Sequence, residues 1–201
     1  MRRPAAFLLC ICICAVSFAQ TNDASGNAAL TQRLVAAADA PAQVYVRYVP
    51  DYVRIGYPGG DVPANTGVCT DEIIRIYRAV GIDLQKEIHE DMLLHLSEYP
   101  IHGQRADSNI DHRRVPNLQK FFARHGTSLP ITRDASDYKP GDIVTWDLNG
   151  KYTHVGMVVD RTNLWGRHKI VHNIGEGPKI EDVLFDWKIT GHYRYYGSMS
   201  Q

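Results

Sequence analysis

The chain has no surplus of charge: 22 Lys and Arg stand against 22 Asp and Glu, with nine histidines. No basic patch or run is present, so nothing favours nucleic acid as a partner. Beyond the N-terminus, no apolar run approaches the roughly 20 residues of a membrane-spanning helix, so no membrane span is expected in the mature chain. There is no internal repeat and no low-complexity tract. The G-x-S-x-G elbow of serine hydrolases is missing. His89-Glu90 begins like a zinc-protease helix, but Leu93 occupies the place of the second histidine. Gly175-x-Gly177 continues to Ile180 instead of a third glycine, which breaks the nucleotide-binding pattern. Neither a metal nor a cofactor is expected. Cysteine is scarce: four in all, three of them at positions 10, 12 and 14.

Those three lie in MRRPAAFLLCICICAVSFAQ. Arg2 and Arg3 precede an apolar run, and Ser17 and Ala19 are small residues spaced for cleavage. This is the pattern of a secretory signal peptide over 1–19, cut after Ala19, with export to the periplasm or beyond. Removal of Arg2 and Arg3 leaves 20 basic against 22 acidic residues. It also leaves Cys69 alone. Exported proteins usually pair their cysteines, so a lone thiol is either reactive or a small buried hydrophobe.

The mature chain, 20–201, has the length of one domain. Helices are expected over 27–40, 69–80, 82–99 (capped by Asp83) and 115–126, the last with Leu118, Phe121 and Phe122 as its apolar face. After Pro140 the texture changes to short β-branched and aromatic runs at 141–146, 154–160, 169–174 and 192–196, with Asn149-Gly150 as a hairpin turn. Helices followed by antiparallel strands give an α+β fold, helices packed on one face of the sheet.

Cys69, Ile73, Ile76 and Val80 share one helix face, so the thiol is expected to point inward at the start of that helix. Unpaired N–H groups and the helix dipole favour a thiolate there, and the expectation is a depressed pKa. A thiolate nucleophile needs a base and a group behind the base. His154 and His172 fall in apolar strands expected to face the Cys69 helix, where each must find a partner.

Four segments carry a resemblance: Gly67-Val68-Cys69-Thr70 entering a helix, Pro140-Gly141-Asp142-Ile143-Val144, His154-Val155-Gly156-Met157-Val158, and Ile170-Val171-His172. In this order they resemble NlpC-like, papain-fold cysteine peptidases. More narrowly, GVCTDEIIRIYRA, IDHRRVPNLQKFF and VHNIGEGPKIEDVLFDWKITGHYRY resemble an exported bacterial family, domain of unknown function family 1287, over nearly the whole mature chain. The resemblance implies Cys69 as nucleophile, His154 as general base and His172 as the third polar residue, with Asn173 as its competitor. It implies a structural role for Asp142 and hydrolysis of amide bonds in peptidoglycan stem peptides. Val68 before the cysteine and Thr70-Asp71 after it depart from the usual Asp and Ser-Gly. Residues 82–115 read as an insertion, a wall or lid over the cleft. Within it, Asp111, His112, Arg113 and Arg114 are either a solvated loop or a grip for carboxylates; with Asp71, His112, Arg113 and Arg114 are the candidate substrate-binding residues. Two other readings stay open: a non-catalytic module binding cell wall or protein, and an N-acetylmuramoyl-L-alanine amidase.

Overall fold

The computed structural model describes residues 14–40, 45–101 and 103–198, with side chains described from residue 25 onward. Helix α1 spans Cys14–Asp39. It is longer than the expected 27–40, running back into the last residues of the segment read as a signal; residues 1–13 of that segment lie outside the described residues. Two short parallel strands follow, β1 (Arg47–Tyr48) and β2 (Thr66–Gly67). Helix α2 is Cys69–Ala79. It ends at Gly81, whose φ of 93° turns the chain left-handed. The amide N–H groups of Gly81 and Ile82 there donate to the carbonyls of Arg78 and Tyr77, a closure that a residue without Cβ makes at least cost.

Helix α3 is Leu84–His95, opened by the Asp83 side chain accepting from Lys86 N at 3.2 Å. The expected 82–99 helix therefore tightens into a 3₁₀ turn over Leu96–Glu98. Helix α4 is Val115–His125. Strand β3 (Thr127–Ser128) leads to β4 (Ile143–Leu148), β5 (Tyr152–Thr162), β6 (His168–Asn173), β7 (Pro178–Glu181) and β8 (Lys188–Arg194). They form one antiparallel sheet in the order β3-β8-β4-β5-β6-β7. β3 and β7 were not expected from sequence. Both are short, and β7 opens on a proline.

Strand alternation divides the sheet into two faces. Ile143, Val155, Met157, Val159 and Val171 pack with Ile73, Ile76 and Tyr77 of α2 and with Leu118, Phe121 and Phe122 of α4. Val144, Trp146, Val158 and Ile170 pack on the other face with Tyr138 and Leu184. Leu84, Ile88 and Met92 of α3 are fully buried in the main core, so this part of the 82–115 segment is a wall of the domain. Asp142 is completely buried and receives the guanidinium of Arg194 (2.7 and 3.0 Å) and the Nε2 of His192 (2.9 Å). It thereby ties the start of β4 to β8.

Candidate active site

The N-terminus of α2 presents Cys69 to the sheet. Asp71 closes this helix end by accepting from Val68 N at 2.8 Å. The sulfur receives the backbone N–H groups of Val155, Thr70 and Cys69 itself. Cys69 is 4% exposed, and burial pushes its thiol up to about 11, with the Asp71 charge adding to the rise. The expected depression of the thiol pKa is thus reversed. The N–H groups at the helix start do lower it, but desolvation of a thiolate outweighs them.

Val155 faces α2, so its neighbour His154 projects from the opposite face of the sheet. There its ring lies beside Trp146 (5.9 Å between centroids), the residue paired with it across β4 and β5. His172 follows on the same face. The expectation that both imidazoles face the Cys69 helix is corrected by this alternation: Val155 and Val171 take the helix-facing positions. His154 Nε2 lies 2.8 Å from His172 Nδ1, and both rings are buried. His172 Nε2 in turn lies 3.1 Å from Glu181 Oε2. Asn173, one residue on, turns away, and its side chain accepts from Gly175 N. Trp187 covers the pair, 6.0 Å from His154 and 6.2 Å from His172 between centroids. Gly156 lets β6 come this close: a Cβ there would meet Ile170 Cγ2 at 2.5 Å and His172 Cβ at 3.2 Å. Burial, and then the neighbouring His172, push His154 down to about 3. Burial also lowers His172, against the pull of Glu181. Both rings are therefore neutral at neutral pH.

Among the described residues no hydrogen bond joins Cys69 to the His154 ring. They meet instead through a shared cleft. A cavity of about 200 Å³ is lined by Cys69, and an adjoining one of about 660 Å³ by His154. Tyr48, Pro50, Ile101, Pro116 and Thr153 line both. Tyr48 reaches the site because β1 pairs it with Gly67. Its hydroxyl interacts with the Cys69 sulfur and is pushed up to about 12, first by burial and then by Cys69 and Asp71. Sequence reading missed both Tyr48 and Glu181. Both stand apart from the four motif segments along the chain and come close to them only through strand pairing.

The candidate substrate-binding residues separate. Asp71 and Arg113 grip each other, with Nε–Oδ1 at 2.8 Å and Nη2–Oδ2 at 3.0 Å. Arg113 also donates to the carbonyls of Asp51 and Val49. Its guanidinium is engaged within the protein and has no fork left for a ligand. His112 is buried away from the cleft, held down at about 3 by burial and by Arg113. Arg114 alone of the group is exposed, and it lines the Cys69 end of the cleft. Trp165 stands 85% exposed at the β5–β6 hairpin tip.

The model of the family "Domain of unknown function (DUF1287)" matches residues 35–195. The "Uncharacterized protein YijF" of Escherichia coli (strain K12) is 50% identical over 151 residues, 74% of each chain. Among solved structures, the chain is similar to NlpC1 from Trichomonas vaginalis at 18% identity and a TM-score of 0.45, covering 84% of this chain and 45% of that one. It is similar to NlpC2 from the same organism at 19% identity and a TM-score of 0.47, covering 84% and 47%. The chain thus spans less than half the length of these two structures.

Proposed function

The chain belongs to the DUF1287 family, and from that premise we propose that it is an exported cysteine hydrolase of amide bonds in peptidoglycan stem peptides. The observation that carries this reading is the cleft itself. A helix-start cysteine and a strand histidine, the latter backed by a second histidine at 2.8 Å, line adjoining cavities that share a wall of five residues.

In the resting state the thiol and the imidazole are both neutral, because burial disfavours charge on each. Attack is therefore concerted. Cys69 Sγ bonds to the amide carbon as its proton passes to His154, and the carbonyl electrons move onto oxygen. The N–H groups at the start of α2 and the Tyr48 hydroxyl are the donors near that oxygen, each such donor worth about 3 kcal/mol of barrier. His154 then protonates the leaving amine. Water hydrolyses the thioester, with His154 taking its proton, and releases the carboxylate and the Cys69 thiol. Arg114 at the cleft edge suits a carboxylate on the peptide.

Incubation of purified sacculi with the mature chain tests this. Mass spectrometry should find new amine and carboxyl ends, absent with Cys69→Ala and with His154→Ala. Cleavage at the muramoyl–alanine amide would reassign the bond within the same chemistry. Identical digests from wild type and Cys69→Ala would defeat the hydrolase reading. They would favour the second one, a binding module on the same fold, for which the 4% exposure and raised pKa of the thiol speak.

A further inference from the structure

The geometry points to Glu181 as the residue that sets the tautomers of the histidine pair and so makes the free nitrogen of His154 a base. The inference rests on the reading of Cys69 and His154 above. An ionised carboxylate has lone pairs and no proton to offer. Glu181 Oε2, 3.1 Å from His172 Nε2, can only accept, so His172 carries its proton on Nε2. A neutral imidazole has a single N–H, so His172 Nδ1 is bare and accepts from His154 Nε2 at 2.8 Å. His154 has then spent its own N–H, and its Nδ1 is left with a lone pair. When that nitrogen takes the thiol proton, His154 becomes an imidazolium that still donates to His172. The Glu181 charge stabilises it through the intervening ring without accepting a proton.

The surroundings isolate this chain of contacts. On β7, Lys179 stands directly opposite His172, and Glu181 opposite Ile170, two positions along the same face. Lys179, whose charge acts on His172, is taken up by Glu176. Asp186 and Lys179 are the other charged groups that act on His172. Trp146 and Trp187 pack beside the His154 ring. Glu181 itself is 42% exposed, so its replacement spares the core.

Long-range ¹H–¹⁵N correlation spectra of the ¹⁵N-labelled full chain read the tautomers without any substrate. Wild type should show both rings protonated at Nε2. Glu181→Gln, whose amide oxygen still accepts, should keep that state. Glu181→Ala should give mixed tautomers, and Glu181→Lys, which presents a donor, should move the proton to Nδ1 in both rings. Sacculus hydrolysis should fall about 10- to 100-fold in the alanine variant, as for lost partners behind reactive groups, and recover in part with glutamine. Wild-type tautomers in both the Ala and Lys variants would overturn the inference at any rate of hydrolysis. Tautomers that respond while wild type cleaves no sacculi would sustain it and sink the hydrolase reading instead.

Discussion

Truncating Asp71 should unfold this protein far more easily than its place beside the cleft suggests. Asp71 and Arg113 have side chains 3% and 2% exposed. Asp71→Ala leaves the guanidinium buried with only the carbonyls of Val49 and Asp51. Breaking one side of a buried pair costs about 3–5 kcal/mol, because the surviving charge is stranded. The amide of Val68 also loses its acceptor, worth about 1 kcal/mol. Set against a typical total of about 5–15 kcal/mol, the variant should be marginal. At about 2–4 °C per kcal/mol for a chain of this size, the combined loss of about 4–6 kcal/mol should drop Tm by about 8–24 °C. Urea unfolding followed by tryptophan fluorescence gives the free energy. The control is Asp71→Leu with Arg113→Met, which removes both charges and fills the space. It should recover most of the loss, as apolar replacements of buried pairs do. Arg113→Lys should not, since an ammonium cannot make the two-pronged contact. A loss below about 1 kcal/mol for Asp71→Ala, or a double variant no better than the single, would refute the stranded-charge argument.

Other outcomes follow from the same burial. Iodoacetamide should alkylate Cys69 roughly two orders of magnitude more slowly at pH 8 than an exposed thiol, with a rate that climbs until about pH 11. A plateau below pH 7 would mean an ion pair with His154 already at rest. Glu72 is 2% exposed with Oε1 unpartnered, and burial raises it to about 7. Its raised pKa makes the protonated carboxyl the stable form, so the protein should lose stability as pH rises from about 4.5 through 7. Glu72→Gln should therefore add on the order of 2–3 kcal/mol at pH 8 and nothing at pH 4 in urea titrations. His154, lowered to about 3, has the opposite sign. Its stability contribution is complete above pH 6.5 and fades toward pH 3, and His154→Gln should flatten that acid limb of the Tm–pH curve.

Much of the fold was legible because it is written in local signals. The 3–4 spacing in α2, the Asp83 cap and the Asn149-Gly150 turn each act over a few residues. The strands from β4 to β8 were legible in the same way, except β7, whose four residues begin with proline. The pairing of His154 with His172 was anticipated from their motif positions. Its consequence, that Asn173 must turn away, follows from alternation alone. What failed was the prediction of environment. The sequence placed Cys69 at a helix start and argued for an easily ionised thiol. The depth of burial, a property of every element packed around it, decided the opposite.

From sequence alone came the periodicities, the caps and turns, and the order of the four motif segments, all of which depend on residues close along the chain. Only the tertiary structure joined Tyr48 to Cys69, Glu181 to His172 and Asp71 to Arg113, over separations that no local rule spans. It also decided the charges. Ionisation depends on how much water each group loses and which partner replaces it, and both are known only once the sheet and helices have closed around the cleft.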